Sequence, residues 1–581
     1  MKPFSLKVAV VATVVIVNGL GASAPGQTPE LYPAGYPGYD ALTAALRKVA
    51  TAHPGRVRLT SIGRTLQGRD VWLVTLGRSV KEATTTTSAP GAPRPAVLVV
   101  ANLEADHVVG SAVALGLIER LAVAEGSDAA WLDRCDLHIV PRLNPDGAER
   151  ALAAPLSEFR LNLRPLDRDR DGRTNEDGPD DLDGDGVIVR MRVKDPARAT
   201  LVPDPKDPRI LRPANPARGE HPVYAEEAEG LDNDGDGLRN EDPPGGVNLN
   251  RNWPHHWTEF DPEAGIFPAS EPAVHALIRF AYAHPEIAAV WSFGLDDNLR
   301  DEPKKPASDL DDADLPLLVE LSRAYQKLTA PKPVAAGGSP AGKGSPAPGA
   351  TSDGSLAAWA YHQFGAVGLA TRLWSTPEIP PPPPALADRP KAAVPARLAV
   401  PEDGELRWLF WNDHVMGGRA FVPFHPFDHP ALGRVEIGGW RPGVRLNPPA
   451  GQVAALTEAH LAFLHDLAGR LPRLAIPEVK VEAKGGGLFE VKALVRNEGY
   501  LPTALAQGVR TRQAPPVLVR LEPGGAKVLA GRSRERLDTL AGSGGHHEFR
   551  WLVLAPDTVK QARLEVACPR GGRIAVPVEL K

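Results

Sequence analysis

Cysteine is almost absent from this 581-residue chain: Cys135 and Cys568 are the only two, and they stand far apart. No disulfide framework can be drawn from them, so burial and hydrogen bonding must hold the fold. An excess of basic charge is also missing. The formal net charge is −5, which removes the bulk electrostatic case for binding nucleic acid. Beyond residue 24 no apolar run is long enough to span a bilayer. Proline (60) and glycine (56) are plentiful instead, and they are expected to gather in loops and linkers. A chain this long exceeds what one core organises, so two globular units are predicted.

Residues 1–24 read as an export signal. Lys2 and Lys7 give a positive start, Val8 to Val17 a short apolar core, and Ala22-Ser23-Ala24 a small-residue cleavage site. An uncleaved anchor is the alternative, but the run is short for a bilayer. The mature protein is therefore expected to be secreted or periplasmic, with no remaining membrane span.

The most informative stretch is Leu98 to Gly110. An apolar run ends in Glu104 and His107, and a second apolar segment follows. A buried parallel strand delivers polar groups to its carboxyl end in this way, where open α/β sheets keep their sites. Glu and His three residues apart suggest a shared divalent metal. Around this stretch, residues 30–475 alternate predicted strands (Val57–Ser61, Val71–Leu76, Leu137–Pro141, Ile287–Phe293) with amphipathic helices, the pattern of an α/β sheet covered on both faces. Asn144-Pro145-Asp146-Gly147 reads as a turn, and Val435 to Gly439 as a late strand. Residues 331–348 and 377–395 are Pro-rich loops. From 477 to 581 short alternating runs with Gly-rich turns predict an accessory β-sandwich.

Residues 160–247 form an acidic, Gly- and Pro-rich insertion with no apparent apolar core. It carries one motif three times: Asp167-x-Asp169-x-Asp171-Gly172, Asp181-x-Asp183-x-Asp185-Gly186 and Asp232-x-Asp234-x-Asp236-Gly237. Alternate carboxylates before a Gly let the backbone curl so that several oxygens face one hard cation, so structural Ca²⁺ is expected. The twelfth position holds Gly178, Arg192 or Pro243 rather than Glu, so no repeat is a complete EF-hand. Ligands borrowed between repeats would complete the sites; a solvated acidic loop is the alternative.

Several segments, in order, resemble the zinc carboxypeptidase family: Ser61 to Arg69, Asn144 to Gly147, Asn250-Arg251-Asn252, Pro268 to Pro272 and Trp359 to Trp374. The resemblance implies a mixed, twisted eight-stranded sheet in an α/β/α layer. It also implies attack on a C-terminal peptide bond by a zinc-bound water, with a Glu as base. Asn250 and Arg251 would hold the substrate's terminal carboxylate, for which a guanidinium fork is suited. The chemistry does not carry over cleanly. The family's His-x-x-Glu ligand pair appears here as Glu104 and His107, in reversed order. Trp291 stands at the third ligand, and an indole only donates. Arg372 stands at the general base. A fixed guanidinium about 4 Å from a zinc position would repel it by several kcal/mol at an effective dielectric of about 20. Losing the base alone costs about 10²–10⁴ in rate.

Glu436 is the obvious rescue base, though a structural carboxylate facing an Arg is the plainer role for it. If Arg372 enters the cleft, Glu104 is its expected ion-pair partner. The primary expectation is an inactive family member that keeps a cleft for peptide or protein C-termini. The alternatives are an active metallocarboxypeptidase using Glu104, His107 and an unidentified third ligand, and a Ca²⁺-stabilised surface- or matrix-binding protein. Zinc is doubtful on this view, and the oligomeric state is open.

Overall fold

The computed structural model describes residues 29–77, 80, 94–168, 170–305, 309–329, 351–374, 379 and 404–581. The export signal, Asp169 and both Pro-rich stretches (Ile379 apart) lie outside the described residues.

The chain begins with α1 (Tyr39–Ala52), β1 (Val57–Arg64), β2 (Asp70–Leu76), β3 (Ala96–Ala101), α2 (Val108–Val123), β4 (Asp136–Val140) and α3 (Pro145–Leu152). The insertion supplies β5 (Arg190–Val193), β6 (Leu201–Pro203), β7 (Leu211–Pro213) and β8 (Ala225–Ala228). Then come α4 (Pro272–Ala283), β9 (Ile287–Phe293), α5 (Leu315–Thr329), α6 (Leu356–His362), β10 (Val367–Thr371), α7 (Gly404–His414), β11 (Phe421–His429), β12 (Gly433–Trp440) and α8 (Val453–Arg470).

The main sheet runs β1-β2-β4-β3-β9-β10. β3 lies between β4 and β9 and is parallel to both, while β1 and β2 form an antiparallel flank. Every residue of β3 is buried, because helices cover both faces and an Ala/Val/Leu run suits that environment. One face packs Val97, Val99, Trp291 and Leu369 against α1, α2, α5 and α8. The other packs Leu98, Val100 and Val290 against α4 and α6. α2 is apolar nearly all round, as a helix inside a core must be.

Three expectations are corrected. The main sheet has six strands among the described residues, not eight. The late strands β11 and β12 instead pair with β5 and β8 in a second sheet, ordered β11-β12-β5-β8. For the same reason the insertion does have an apolar core. Leu156, Val187, Val189, Met191 and Val193 pack with Val435 and Ile437, which arrive from far along the chain. The Asn-Pro-Asp-Gly segment also departs from a simple turn: Asn144 Oδ1 accepts from Gly147 N at 3.1 Å and Pro145 opens α3. An Asn cap with Pro just inside it favours helix initiation.

The C-terminal strands β13 (Leu474–Gly485), β14 (Leu488–Asn497), β15 (Val517–Glu522), β16 (Lys527–Ala530), β17 (Arg534–Leu537), β18 (His546–Leu554), β19 (Gln561–Cys568) and β20 (Gly572–Glu579) form two antiparallel sheets. Both sheets turn alternate residues, such as Val491, Val519, Trp551 and Leu564, into one apolar cluster. Cys135 and Cys568 are both free and buried.

Candidate functional site

β3 ends at Ala101, and the chain turns through Asn102, whose φ of 58° places it in the left-handed region. An Asn tolerates this conformation because its side chain can bond locally. Asn102 Nδ2 donates to the carbonyls of Glu104 and Ala105 at 2.9 and 3.0 Å. Asn447 fastens the turn from outside, donating to Asp106 O at 2.8 Å and accepting from Val109 N at 2.9 Å. Glu104 and His107 are thereby held at the carboxyl end of the sheet, each almost fully buried.

Glu104 Oε1 accepts from Asn250 Nδ2 at 3.1 Å. The same nitrogen lies 3.4 Å from Asp296 Oδ2, and Asn250 Oδ1 accepts from Leu356 N at 3.1 Å. Asp296 is fixed in turn by Ser352, whose Oγ donates at 2.5 Å and whose N donates at 3.1 Å. His107 Nε2 meets the Arg372 carbonyl at 3.0 Å. Glu104 Oε2 and His107 Nδ1 are buried with no hydrogen-bond partner among the described residues. Gly294 allows this packing, since a Cβ there would sit 2.7 Å from Glu104 Oε2.

Burial dominates the electrostatics. It raises Glu104 to about 7, with the neighbouring Asp296 charge adding to the shift. It raises Asp106 to about 7 against the opposing charge of Arg160, 3.6 Å away. It also raises Asp296 and Asp297, and lowers His107 to about 4. The site thus favours uncharged forms of Glu104 and His107.

The other predicted residues are placed as follows. Trp291 is fully buried in β9. It packs edge-on to Phe293 and Phe463 at ring distances of 4.8 and 5.0 Å and lies stacked with His460 at 6.0 Å. Arg372 does not pair with Glu104: its Nε donates to Leu295 O at 2.5 Å and its N to Asp297 Oδ2 at 3.2 Å. A backbone carbonyl therefore takes the guanidinium that was expected to meet an acid. Glu436 lies on β12, in the second sheet, across the ladder from Arg192. Arg251 pairs with Asp261 at 2.5 Å and is one-third exposed. A cavity of about 480 Å³ lies elsewhere, between the second sheet and α7, and is lined by Arg190, Arg209, Glu226, Glu405, Trp440 and Arg445.

Asp296, Asp297 and Ser352 escaped the sequence reading. The signal for the two acids was present: they lie three and four residues past the end of β9, at the same sheet end as Glu104.

In the insertion the three repeats share one turn. The first Asp of each accepts backbone N–H groups from within its own loop: Asp167 from Arg170 and Gly172, Asp181 from Asp185 and Gly186, Asp232 from Gly235 and Gly237. The sixth-position glycines have φ of 97°, 86° and 95°, a conformation that disfavours side chains. Carboxylates from different parts of the insertion converge. Asp171, Glu176 and Asp234 offer oxygens within 4.8 Å of one another, as do Asp177, Asp234 and Glu241, and Asp181, Asp183 and Glu229. Asp185 and Asp236 instead cap the N–H groups of Val187 and Leu238 at 2.9 and 2.6 Å.

Residues 42–388, more than half of the chain, match the zinc carboxypeptidase family, and residues 473–579 match a domain family of unknown function. Among characterised relatives, a zinc carboxypeptidase from Saccharothrix mutabilis subsp. capreolus is 28% identical over 141 residues, covering 23% of this chain and 31% of that protein. Human carboxypeptidase D is 35% identical over 129 residues, covering 19% of this chain and 9% of that protein. The matched stretch thus spans less than a third of either relative. Carboxypeptidase A from Helicoverpa armigera superposes with a TM-score of 0.35 at 14% identity, covering 66% of this chain and 73% of that one. A metallo-carboxypeptidase from Burkholderia cenocepacia gives 0.31 at 17% identity, covering 74% and 69%. Family match and ordered motifs agree: the chain belongs to the zinc carboxypeptidase family.

Proposed function

We propose that this family member no longer hydrolyses peptides, and that the place where its relatives hold zinc is occupied by a hydrogen-bonded acid cluster. One observation carries this: the Asn250 side chain is spent on Glu104, Asp296 and the backbone of Leu356, leaving nothing to meet a substrate carboxylate. The family's zinc does not fit the remaining residues. Of the family's three ligand positions only Glu104 and His107 can contribute, since Trp291 belongs to an apolar core, and a cation stands where the base should be. Three protein ligands are the minimum for a catalytic zinc. A peptide C-terminus can still dock on Arg251 by displacing Asp261.

Peptides with free C-terminal carboxylates are the test, assayed with added Zn²⁺. No turnover is expected, together with weak peptide binding that Arg251→Ala reduces at least tenfold. Turnover abolished by chelator and by His107→Ala would reject the proposal. That outcome belongs to a second reading, an active enzyme with a non-standard metal set. It is favoured by the unpartnered Glu104 Oε2 and His107 Nδ1, and Asp296 is the neighbour that could join them.

We further propose that Ca²⁺ is structural in the insertion, with Glu229 and Glu241 lending ligands to the Asp triplets. Export follows from the reading of residues 1–24; among the described residues no helix is long and apolar enough to cross a membrane. Fractionation of the native host, with N-terminal sequencing of the mature chain, tests that assignment.

A further inference from the structure

We propose that His138, His284 and Glu286 form a zinc site at the amino-terminal end of the parallel strands, the end opposite Glu104 and His107. The three residues offer ligand atoms that all lie within 4.8 Å of one another. His138 sits in the middle of β4, and His284 and Glu286 lie between α4 and β9. Crossing the seven residues of β9 from this end to Gly294, beside Glu104, covers roughly 20 Å at 3.3 Å per residue, so the two positions are independent.

The decisive atom is His138 Nε2. It is buried and has no hydrogen-bond partner among the described residues, a costly state for a polar group. Thr75 Oγ1 lies 3.1 Å from the other nitrogen, Nδ1. With Nδ1–H donated to that hydroxyl, Nε2 presents a lone pair, which is how an outer-shell partner prepares a metal-binding imidazole. Burial, together with the neighbouring His284, lowers His138 to about 3, so the ring stays neutral and able to ligate. Glu286 hydrogen-bonds His284 Nδ1 at 2.7 Å and brings a negative charge against that of Arg58, the nearby cation acting on His138.

Ring geometry fits as well. The His138 and His284 centroids are 5.3 Å apart with planes at 54°. Two imidazoles bound to one tetrahedral ion through bonds of about 2.1 Å place their centroids about 5 Å apart. The cluster of His255, His256 and Asp309 fails this comparison. His255 and His256 stack at 4.0 Å with planes at 23°, so their lone pairs run side by side. Two nitrogens and one carboxylate oxygen suit Zn²⁺ rather than Ca²⁺ or Mg²⁺. The side chains of His284 and Glu286 are 34% and 17% exposed, which leaves an entry path and a fourth position for water. An ion there would clip the end of α4 and the start of β9 to β4.

The test uses the full chain stripped by chelator and titrated with Zn²⁺ in excess Ca²⁺, with metal content measured after dialysis and the melting temperature followed. One equivalent of zinc is expected, with a raised melting temperature. His107→Ala should leave binding unchanged. His284→Ala and Glu286→Gln should each weaken it at least tenfold, and Thr75→Val about tenfold. No zinc in the native chain, or zinc equally tight in both His284→Ala and Glu286→Gln, overturns the proposal. Zinc lost in His107→Ala but kept in His284→Ala also overturns it, by placing the ion in the cleft.

Discussion

Asn250 Nδ2 stands 3.1 Å from one oxygen of Glu104 and 3.4 Å from one oxygen of Asp296, so a single amide group separates two buried acids. Asn250→Leu removes the bridge and leaves Leu356 N without its acceptor. A loss of about 2–4 kcal/mol is expected, from the cost of unpaired buried polar groups. Asn250→Asp keeps the shape but adds a third acid, so its loss should be larger at pH 8 than at pH 5. Urea unfolding at both pH values measures each.

The pH dependence of stability has a defined sign. Glu104 and Asp106 are raised from ordinary carboxylate values to about 7 in the folded chain. The folded state therefore binds more protons than the unfolded state between about pH 4.5 and 7, and stability falls as pH rises through that window. His107, lowered to about 4, acts oppositely, removing stability as pH falls from about 6.5 towards 4. Glu104→Gln should flatten the fall between pH 5 and 8 by on the order of 2 kcal/mol. An unchanged melting-temperature profile in that variant would contradict the assignment.

Trp291→His separates motif from geometry. By the motif resemblance it would supply the third ligand; in this fold it removes an indole from the cluster with Phe293, Tyr325 and Phe463. The variant should lose about 3 kcal/mol or more and gain no zinc, since the position faces the apolar core. Calorimetry and metal content of the purified variant decide.

Calcium removal gives a fourth outcome. If Ca²⁺ is present at about 100 times its dissociation constant, chelation should cost about 2.7 kcal/mol per site. The second repeat draws on Asp181, Asp183 and Glu229, so Asp181→Ala should remove one part of the calcium-dependent shift and leave the rest. A melting temperature indifferent to chelator would exclude structural calcium.

Much of this molecule was legible from local pattern. The run Leu98 to Gly110 became β3, its polar turn and α2, because both-sided burial and helical burial each write plain apolar runs. The loops of the Asp triplets were legible because the first Asp of each bonds N–H groups within its own loop. What stayed hidden depends on distant partners. The core of the insertion needs Val435 and Ile437, and the environment of Glu104 needs Asn250, Asp296 and Ser352, none of them near it in sequence. The orientation of Arg372 was hidden for another reason. Charge complementarity pointed to an acid, yet the Leu295 carbonyl receives its Nε.

The second sheet sets an order of folding. β5 and β8 are complete by Ala228, but β12, which pairs with β5, begins only at Gly433. Until that hairpin is synthesised, Met191 and Val193 have no apolar partner from β12 and one side of β5 lacks its ladder. Such non-local closure is slow and leaves a strand edge open to pairing with other chains. A carboxyl-terminal truncation before Trp440 is therefore expected to release the insertion from the folded body, with aggregation through β5 as the visible sign.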